Sequence, residues 1–400
     1  MGVSAAITGL GCVSGLAWDL GELERRVFAG DVAIGPFAVF PHHKHRTHLA
    51  AQAPAAPRPL LSPWGSRVDG FAVHAARAAV EHSGMGAFTD PGRVGVFFGT
   101  STAGMLETER LYVQLAAHEP RLRLRPVGSQ QSNAPGDSVA RILGVRGPVV
   151  SVSTACVSGS QALMLALDSI RSGEVDVAIA GGADGLCQLT YSGFNALRAV
   201  DSGPCVPYRA RRQGLSLGEG AGVLVLEAAE HARRRGARVH GWLAGTGSTC
   251  DAHHMAAPEP SGEGATRAIF AALEDAGLSP NAVDFLNVHG TGTPLNDAAE
   301  AKALHTVFGG RAARIPLTST KSLVGHLLGA AGAFEAVVTV LCLARKLLHP
   351  TAGPGPVDPA LGVDLVLDRP RELGDAHVAL STNLAFGGAN TALVLTDGVG

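Results

Sequence analysis

The chain's 400 residues suffice for two core-forming units or one large one. Apolar residues make up 46% and charged residues only 16%, against a usual ~25%, which excludes disorder and leaves outer surface suited to a partner subunit. A net charge of −2 without a dense basic run excludes general attraction to nucleic acid, and six scattered cysteines without a CxxC pair exclude a zinc ribbon or a disulfide framework.

Short β-type runs and longer helical patterns then alternate. Residues 5–9 (AAITG) read as a buried strand, 67–82 as a helix, and 94–99 (VGVFFG) and 149–154 (VVSVST) as strands. A helix over 158–170, strands over 175–180 (VDVAIA) and 222–226 (GVLVL), and a helix over 264–275 follow. The chain ends with a strand at 284–288 (DFLNV), helices at 298–307 and 329–344, and a strand at 391–395 (TALVL). This alternation predicts an α/β fold with much parallel sheet. The strand-to-turn runs VGVFFGTST and FLNVHGTGT are alike, which predicts an internal duplication with halves 1–245 and 246–400. Two segments, 41–46 (PHHKHR) and 121–136, are excursions from the core, and the Pro/Gly-rich 350–358 reads as a loop. The N-terminus lacks the basic and apolar regions of a signal peptide. The most apolar stretch, 336–344, falls short of the ~20 residues of a bilayer span, so a cytoplasmic protein with no membrane contact is expected.

Four motifs at strand ends carry chemistry. In VVSVSTACVSGSQAL a buried strand runs into a helix beside Cys156, where unpaired N–H groups and the helix dipole favour thiolate. The alternative for a single cysteine is a buried structural thiol. In FLNVHGTGTPLNDAAE, His289 leaves a strand into a Gly-rich turn, where open α/β sheets place ligands. Thr291 and Thr293 offer hydroxyls to a polar substrate arm or cap the helix that follows. In TKSLVGHLLGAAGAFE, His326 precedes an apolar helix, and Glu335 on its greasy face needs a partner such as Lys321. In STNLAFGGAN, Phe386-Gly387-Gly388 forms a tight turn whose free N–H could supply half an oxyanion hole.

Together these motifs make the chain resemble a β-ketoacyl synthase of the condensing-enzyme, thiolase-like superfamily, of the chain-elongating Cys-His-His type. The matches TACVSGSQA, GLSLGEGAG, HGTGT, KSLVGHLLGAAGAFE and FGGAN carry the resemblance along nearly the whole chain. It implies a thiolase-like fold: two pseudo-duplicated halves around a layered αβαβα core, Cys156 in the first half and both histidines and the gate loop in the second. It also implies that Cys156 takes an acyl chain from an acyl carrier protein. Carrier-bound malonyl then loses CO2, and its carbanion attacks the thioester to give 3-oxoacyl-carrier, in type II fatty-acid or polyketide (for example aryl-polyene) synthesis. His289 and His326 would stabilise the enolate, Lys321 and Glu335 would orient the second imidazole, and the Cys156 and Phe386 N–H groups would hold the oxyanion. The Phe386 ring would gate the acyl pocket. No metal or bound cofactor is implied, the phosphopantetheine arm coming from the carrier. Partners would be the carrier and a second subunit, identical or a related chain-length subunit.

Two positions depart from the family pattern: Ala385 replaces a hinge glycine before Phe386, and Arg209 replaces an acid after Pro207-Tyr208. Three other readings are weaker. A silent chain-length subunit would lack the cysteine, a thiolase would want a second cysteine beyond Cys342, and a Cys-His hydrolase would need free access for water. Carriers are acidic, so docking is expected on arginines: Arg121, Arg123 and Arg125, placed on one side by an extended backbone, and Arg209, Arg211 and Arg212.

Overall fold

The computed structural model describes residues 4–63 and 65–398. Its centre is a mixed eleven-stranded sheet. In chain order the strands are β1 (Ala5–Val13), β2 (Val94–Gly99), β3 (Val149–Val152), β4 (Val177–Asp184), β5 (Gly220–Ala228) and β6 (Gly241–Cys250). They continue with β7 (Phe285–Asn287), β8 (Pro316–Thr318), β9 (Asp364–Leu365), β10 (Val378–Leu384) and β11 (Ala389–Thr396). Their spatial order is β9-β8-β7-β10-β11-β6-β1-β5-β4-β2-β3.

The pairing pattern repeats. β1 to β5 and β5 to β4 are antiparallel, while β4 to β2 and β2 to β3 are parallel. Likewise β6 to β11 and β11 to β10 are antiparallel, while β10 to β7 and β7 to β8 are parallel. The strands of VGVFFGTST and FLNVHGTGT, β2 and β7, hold equivalent places in the two sets. Antiparallel pairing of β1 with β6 (Ala5 opposite Leu243) joins the sets into one sheet. The chain crosses between them ahead of Gly241, so the expected division at 245/246 cuts β6.

Layers follow from where the helices pack. Helix Arg67–His82 lies on β1 and β5, and helix Glu263–Ala276 on β6 and β11, as outer covers. Helices Ser158–Arg171 and Ala331–Arg345 pack on each other and are sandwiched between the two half-sheets, giving the αβαβα order. The apolar stretch Leu328–Arg345, the one candidate span among the described residues, is 83% buried, as a core helix should be. Where the two central helices cross, a Cβ on Gly159 would stand 2.9 Å from the Gly329 carbonyl oxygen and 3.0 Å from the Ala333 Cβ. Their first turns therefore touch.

Sequence periodicity locates helix Arg67–His82 and strand Val94–Gly99 to the residue. It misses β6, β10 and helices Met105–Ala116, Ala134–Leu143 and Gln188–Ala196. The 121–136 excursion is not an extended strand: Arg125–Ser129 is a 3-10 turn, and a helix begins at Ala134.

Candidate active site

Each central helix is entered through a left-handed residue three positions before it, Ala155 (φ 51°) and Leu328 (φ 53°). Such backbone is costly for a side-chain-bearing residue and marks a sharp elbow. Ser158 pins the first elbow: its Oγ accepts from the Thr154 N–H (2.9 Å) and donates to the Ala155 carbonyl (2.6 Å). Cys156 is thereby held at the floor of a cavity of about 270 Å³, 6% exposed. His289, His326, Thr291, Thr293 and Phe386 line the same cavity. The motifs at four strand ends thus meet at one point.

The thiol does not behave as the helix terminus alone predicts. Burial pushes Cys156 up to about 12, against the opposing pull of the Lys321 charge and of the Phe386 and Cys156 N–H groups at its sulfur. Desolvation outweighs the dipole because the cavity wall is apolar and the helix proper starts only at Ser158. The expected depressed thiol pKa is corrected accordingly. The Phe386 and Cys156 N–H groups nonetheless both act on this sulfur.

The imidazoles of His289 and His326 are 5.3 Å apart, ring edge to ring face, and both are buried. Desolvation first, then the nearby Lys321 charge, holds both well below the ordinary histidine range, so both are neutral at pH 7. His326 Nδ1 accepts from the Leu328 N–H at 3.1 Å, which puts the ring proton on Nε2. That Nε2 is buried with no partner among the described residues, as is Nδ1 of His289. The protein itself therefore leaves one ring nitrogen of each imidazole unpaired among the described residues.

Lys321 Nζ and Glu335 Oε1 are 2.5 Å apart, both 1% exposed, and Asn383 Nδ2 donates to Glu335 Oε2 at 2.6 Å. Burial raises Glu335, and its Lys321 partner opposes that. The pair does not orient His326 through a hydrogen bond. Leu328 does that, and Lys321 acts on both imidazoles through its charge.

Thr293 is the N-cap of helix Pro294–Phe308 and 2.9 Å from Thr291 Oγ1. It caps and lines the cavity at once. Phe386 is 37% exposed and packs on Phe194, ring centroids 5.3 Å apart. Gly387 and Gly388 adopt positive φ (86° and 80°) behind it. Ala385 does not, so alanine replaces the hinge glycine without backbone strain.

Three residues escaped the sequence reading. Glu300 accepts from the N–H groups of His289 (2.8 Å) and Gly290 (2.9 Å) and from the hydroxyls of Thr382 (2.7 Å) and Tyr208 (2.9 Å), fixing the histidine turn. Asp184, fully buried, takes the N–H groups of Ser101, Thr102 and Gly329 and the Thr100 hydroxyl, tying loops of both halves together. Arg198 lines the cavity mouth, exposed and without an acidic partner among the described residues. Acids in NDAAE and GGAD were the available signal for the first two.

The arginine clusters fare differently. Arg209 is 2% exposed and donates to the Gly355 (2.6 Å) and Thr351 (3.0 Å) carbonyls. Arg212 pairs with Asp358 at 2.7 Å and faces Asp297. Both hold the 350–358 loop and are withdrawn as docking residues; Arg211 is exposed. Arg121, Arg123 and Arg125 are all exposed, and Arg125 donates to the Pro63 carbonyl at 2.9 Å. The 3-10 turn breaks the shared face expected of these three.

A buried cysteine sulfur with two backbone N–H groups beside it and two neutral imidazoles in one small apolar cavity is the constellation of a thiol-dependent acyl-transfer enzyme. The chain belongs to the β-ketoacyl synthase family, whose N-terminal domain model matches residues 4–232 and C-terminal domain model residues 240–354. It is 34% identical over 406 residues to 3-oxoacyl-[acyl-carrier-protein] synthase 2 of Staphylococcus aureus (strain MRSA252), covering 98% of each chain. Among solved structures it resembles the ishigamide ketosynthase/chain length factor (TM-score 0.93, 32% identity, 100% of both chains). It also resembles a type II PKS ketosynthase, bound to the hexaketide, in complex with its acyl-carrier protein (TM-score 0.92, 28% identity, 100% of both chains). The fold is thiolase-like, as the resemblance implied.

Proposed function

We propose that the protein condenses carrier-bound malonyl with an acyl chain held on Cys156, releasing CO2 and giving 3-oxoacyl-carrier. Cys156 Sγ attacks the incoming thioester carbonyl, the N–H groups of Cys156 and Phe386 hold the oxyanion, and as the carbon–sulfur bond to the carrier breaks the Cys156 proton passes to the departing sulfur, which leaves as the carrier thiol. Malonyl then loses CO2, and its electron pair moves onto the thioester oxygen as an enolate. His326 donates from Nε2, and His289 donates from whichever ring nitrogen carries its proton. A neutral imidazole suits this role, because it donates without first releasing a proton. The enolate carbon attacks the Cys156 thioester, a carbon–carbon bond forms, and the cysteine sulfur departs. Lys321 and Glu335 set the field around the imidazoles, and Phe386 against Phe194 closes the acyl side.

The observation that carries this reading is that two neutral imidazoles, His289 and His326, line the same cavity as Cys156, each with a ring nitrogen that has no hydrogen-bond partner among the described residues. A silent chain-length subunit has no use for that arrangement. In this reading the carrier's phosphopantetheine arm supplies the second thiol, and the enzyme holds no group of its own. A second subunit, identical or a chain-length factor, covers exposed apolar surface, and the cytoplasm is the site of action. Intact-mass analysis after incubation with a panel of acyl-carrier thioesters tests it. An acyl adduct is expected on the wild type and none on Cys156→Ala; an adduct on the variant rejects the nucleophile.

A further inference from the structure

The segment His42-His43-Lys44-His45-Arg46-Thr47-His48 holds six cationic or imidazole side chains in seven residues, and residues 37–49 contain no acid. One side of it is fastened to helix Gln188–Ala196. Thr47 Oγ1 donates to Asn195 Oδ1 (2.9 Å) and lies 3.0 Å from the Tyr191 hydroxyl. His42 stacks on Phe37 at 4.0 Å, and Phe37 packs on Tyr191 at 5.0 Å. Arg46 Nη2 donates to the Val200 carbonyl at 2.6 Å. The other side is open: His43, Lys44, Arg46 and His48 are exposed.

The same helix borders the catalytic cavity. Phe194 touches the gate ring of Phe386, and Leu197 and Arg198, just past the helix end, line the mouth. The exposed Lys44 and Arg46 therefore belong to a segment packed on the helix that borders the entrance. Arg209 and Arg212 are engaged internally, whereas Lys44 and Arg46 of this segment and Arg198 at the mouth are exposed cations on this side of the molecule.

We propose that segment 42–48, together with Arg198, is the surface on which the acidic acyl carrier protein docks to deliver its thioester arm. The assignment rests on the ketosynthase reading above. Charge opposed to charge at the rim of a transient interface acts mainly on encounter and falls with salt. The surface should therefore govern KM for carrier-bound substrates and leave the chemistry untouched.

The test is the triple variant His43→Glu/Lys44→Glu/His48→Glu, whose side chains make no hydrogen bond to the helix among the described residues. It is assayed with malonyl loaded on a purified bacterial fatty-acid acyl carrier protein and, separately, with malonyl-pantetheine. The expected result is about a tenfold or larger fall in kcat/KM for the carrier substrate at low salt, carried by KM and shrinking as salt rises. Turnover of malonyl-pantetheine should be unchanged. Unaltered carrier kinetics would place docking elsewhere while leaving the condensation reading intact. Equal losses on both substrates would mean that the segment supports the helix and gate, which also overturns the proposal. Absence of condensation by the wild type with either substrate would reject the ketosynthase reading itself.

Discussion

Glu300 offers a direct test of how the histidine turn is held. Its two carboxylate oxygens receive four donors, the His289 N–H and Thr382 hydroxyl on Oε1, and the Gly290 N–H and Tyr208 hydroxyl on Oε2. In Glu300→Gln one oxygen becomes an NH2. Placed at Oε2, it can meet the Tyr208 oxygen, which accepts as well as donates, but it confronts the Gly290 N–H. Placed at Oε1, it can meet Thr382 but confronts the His289 N–H. In the first placement the buried Gly290 N–H is orphaned, at about 1–3 kcal/mol, in the second the His289 N–H keeps only its longer contact to Thr382 Oγ1 (3.3 Å), and in both the other bonds lose their charge assistance. The expected destabilisation is about 2–4 kcal/mol by urea denaturation, with malonyl decarboxylation at least ~10-fold slower because the His289 backbone shifts. Glu300 thus acts as a positioning residue. Wild-type stability together with wild-type CO2 release would refute the reasoning, since it requires four simultaneous donors.

Three further outcomes follow from the geometry. His289→Ala and His326→Ala should each lower malonyl decarboxylation by roughly 100-fold while Cys156 still loads, read as CO2 release against intact mass. Asp69 is buried with neither carboxylate oxygen in a well-formed hydrogen bond among the described residues, and burial raises it from 3.8 to about 7 against the weaker opposing pull of the Ser66 and Ser62 side chains. Below pH 3.8 both states hold the proton. As pH rises to 7 only the unfolded chain releases it, so the native state loses stability up to pH 7 and recovers none above. Asp69→Asn should therefore stabilise by on the order of 2–4 kcal/mol at pH 8 and by almost nothing at pH 3.5; equal gains at both would refute the assignment. Ala385→Gly should loosen the gate and raise hydrolysis of the acyl-Cys156 intermediate, measured as loss of adduct with time.

Cys156 and His289 were legible because each follows an apolar strand, a pattern a sequence displays openly, whereas His326 follows the short helix Lys321–Val324 and stood out only within its Gly/Ala-rich motif. The strand Gly241–Cys250 was not legible. Its GWLAGTGSTC run lacks apolar bulk because helix Glu263–Ala276 lies directly on it, and a Cβ on Gly247 would meet the Ala268 carbonyl oxygen at 2.1 Å. Strand Val378–Leu384 reads as polar because its Ser381, Thr382 and Asn383 serve the site. Arg209 and Arg212 misled for a different reason. Nothing within YRARRQ shows that the 350–358 loop closes over it, a contact about 145 residues away in sequence. The Cys156 thiol misled because helix polarity is visible in a sequence and desolvation is not.

The touching first turns of helices Ser158–Arg171 and Ala331–Arg345 make Gly159 a spacer gauge. Cys156 stands two residues ahead of the first helix and His326 five residues ahead of the second, so the helix-to-helix gap meters the distance from nucleophile to imidazole. One methyl group at Gly159 would meet the Gly329 carbonyl oxygen and the Ala333 Cβ and wedge the helices apart. A shift of even an ångström there would be transmitted to the reacting atoms, where such a misplacement costs about 100-fold in rate. The tolerance of the reaction centre is thus written into a glycine that touches no substrate, and changes at that crossing should be read as changes in reach between sulfur and ring.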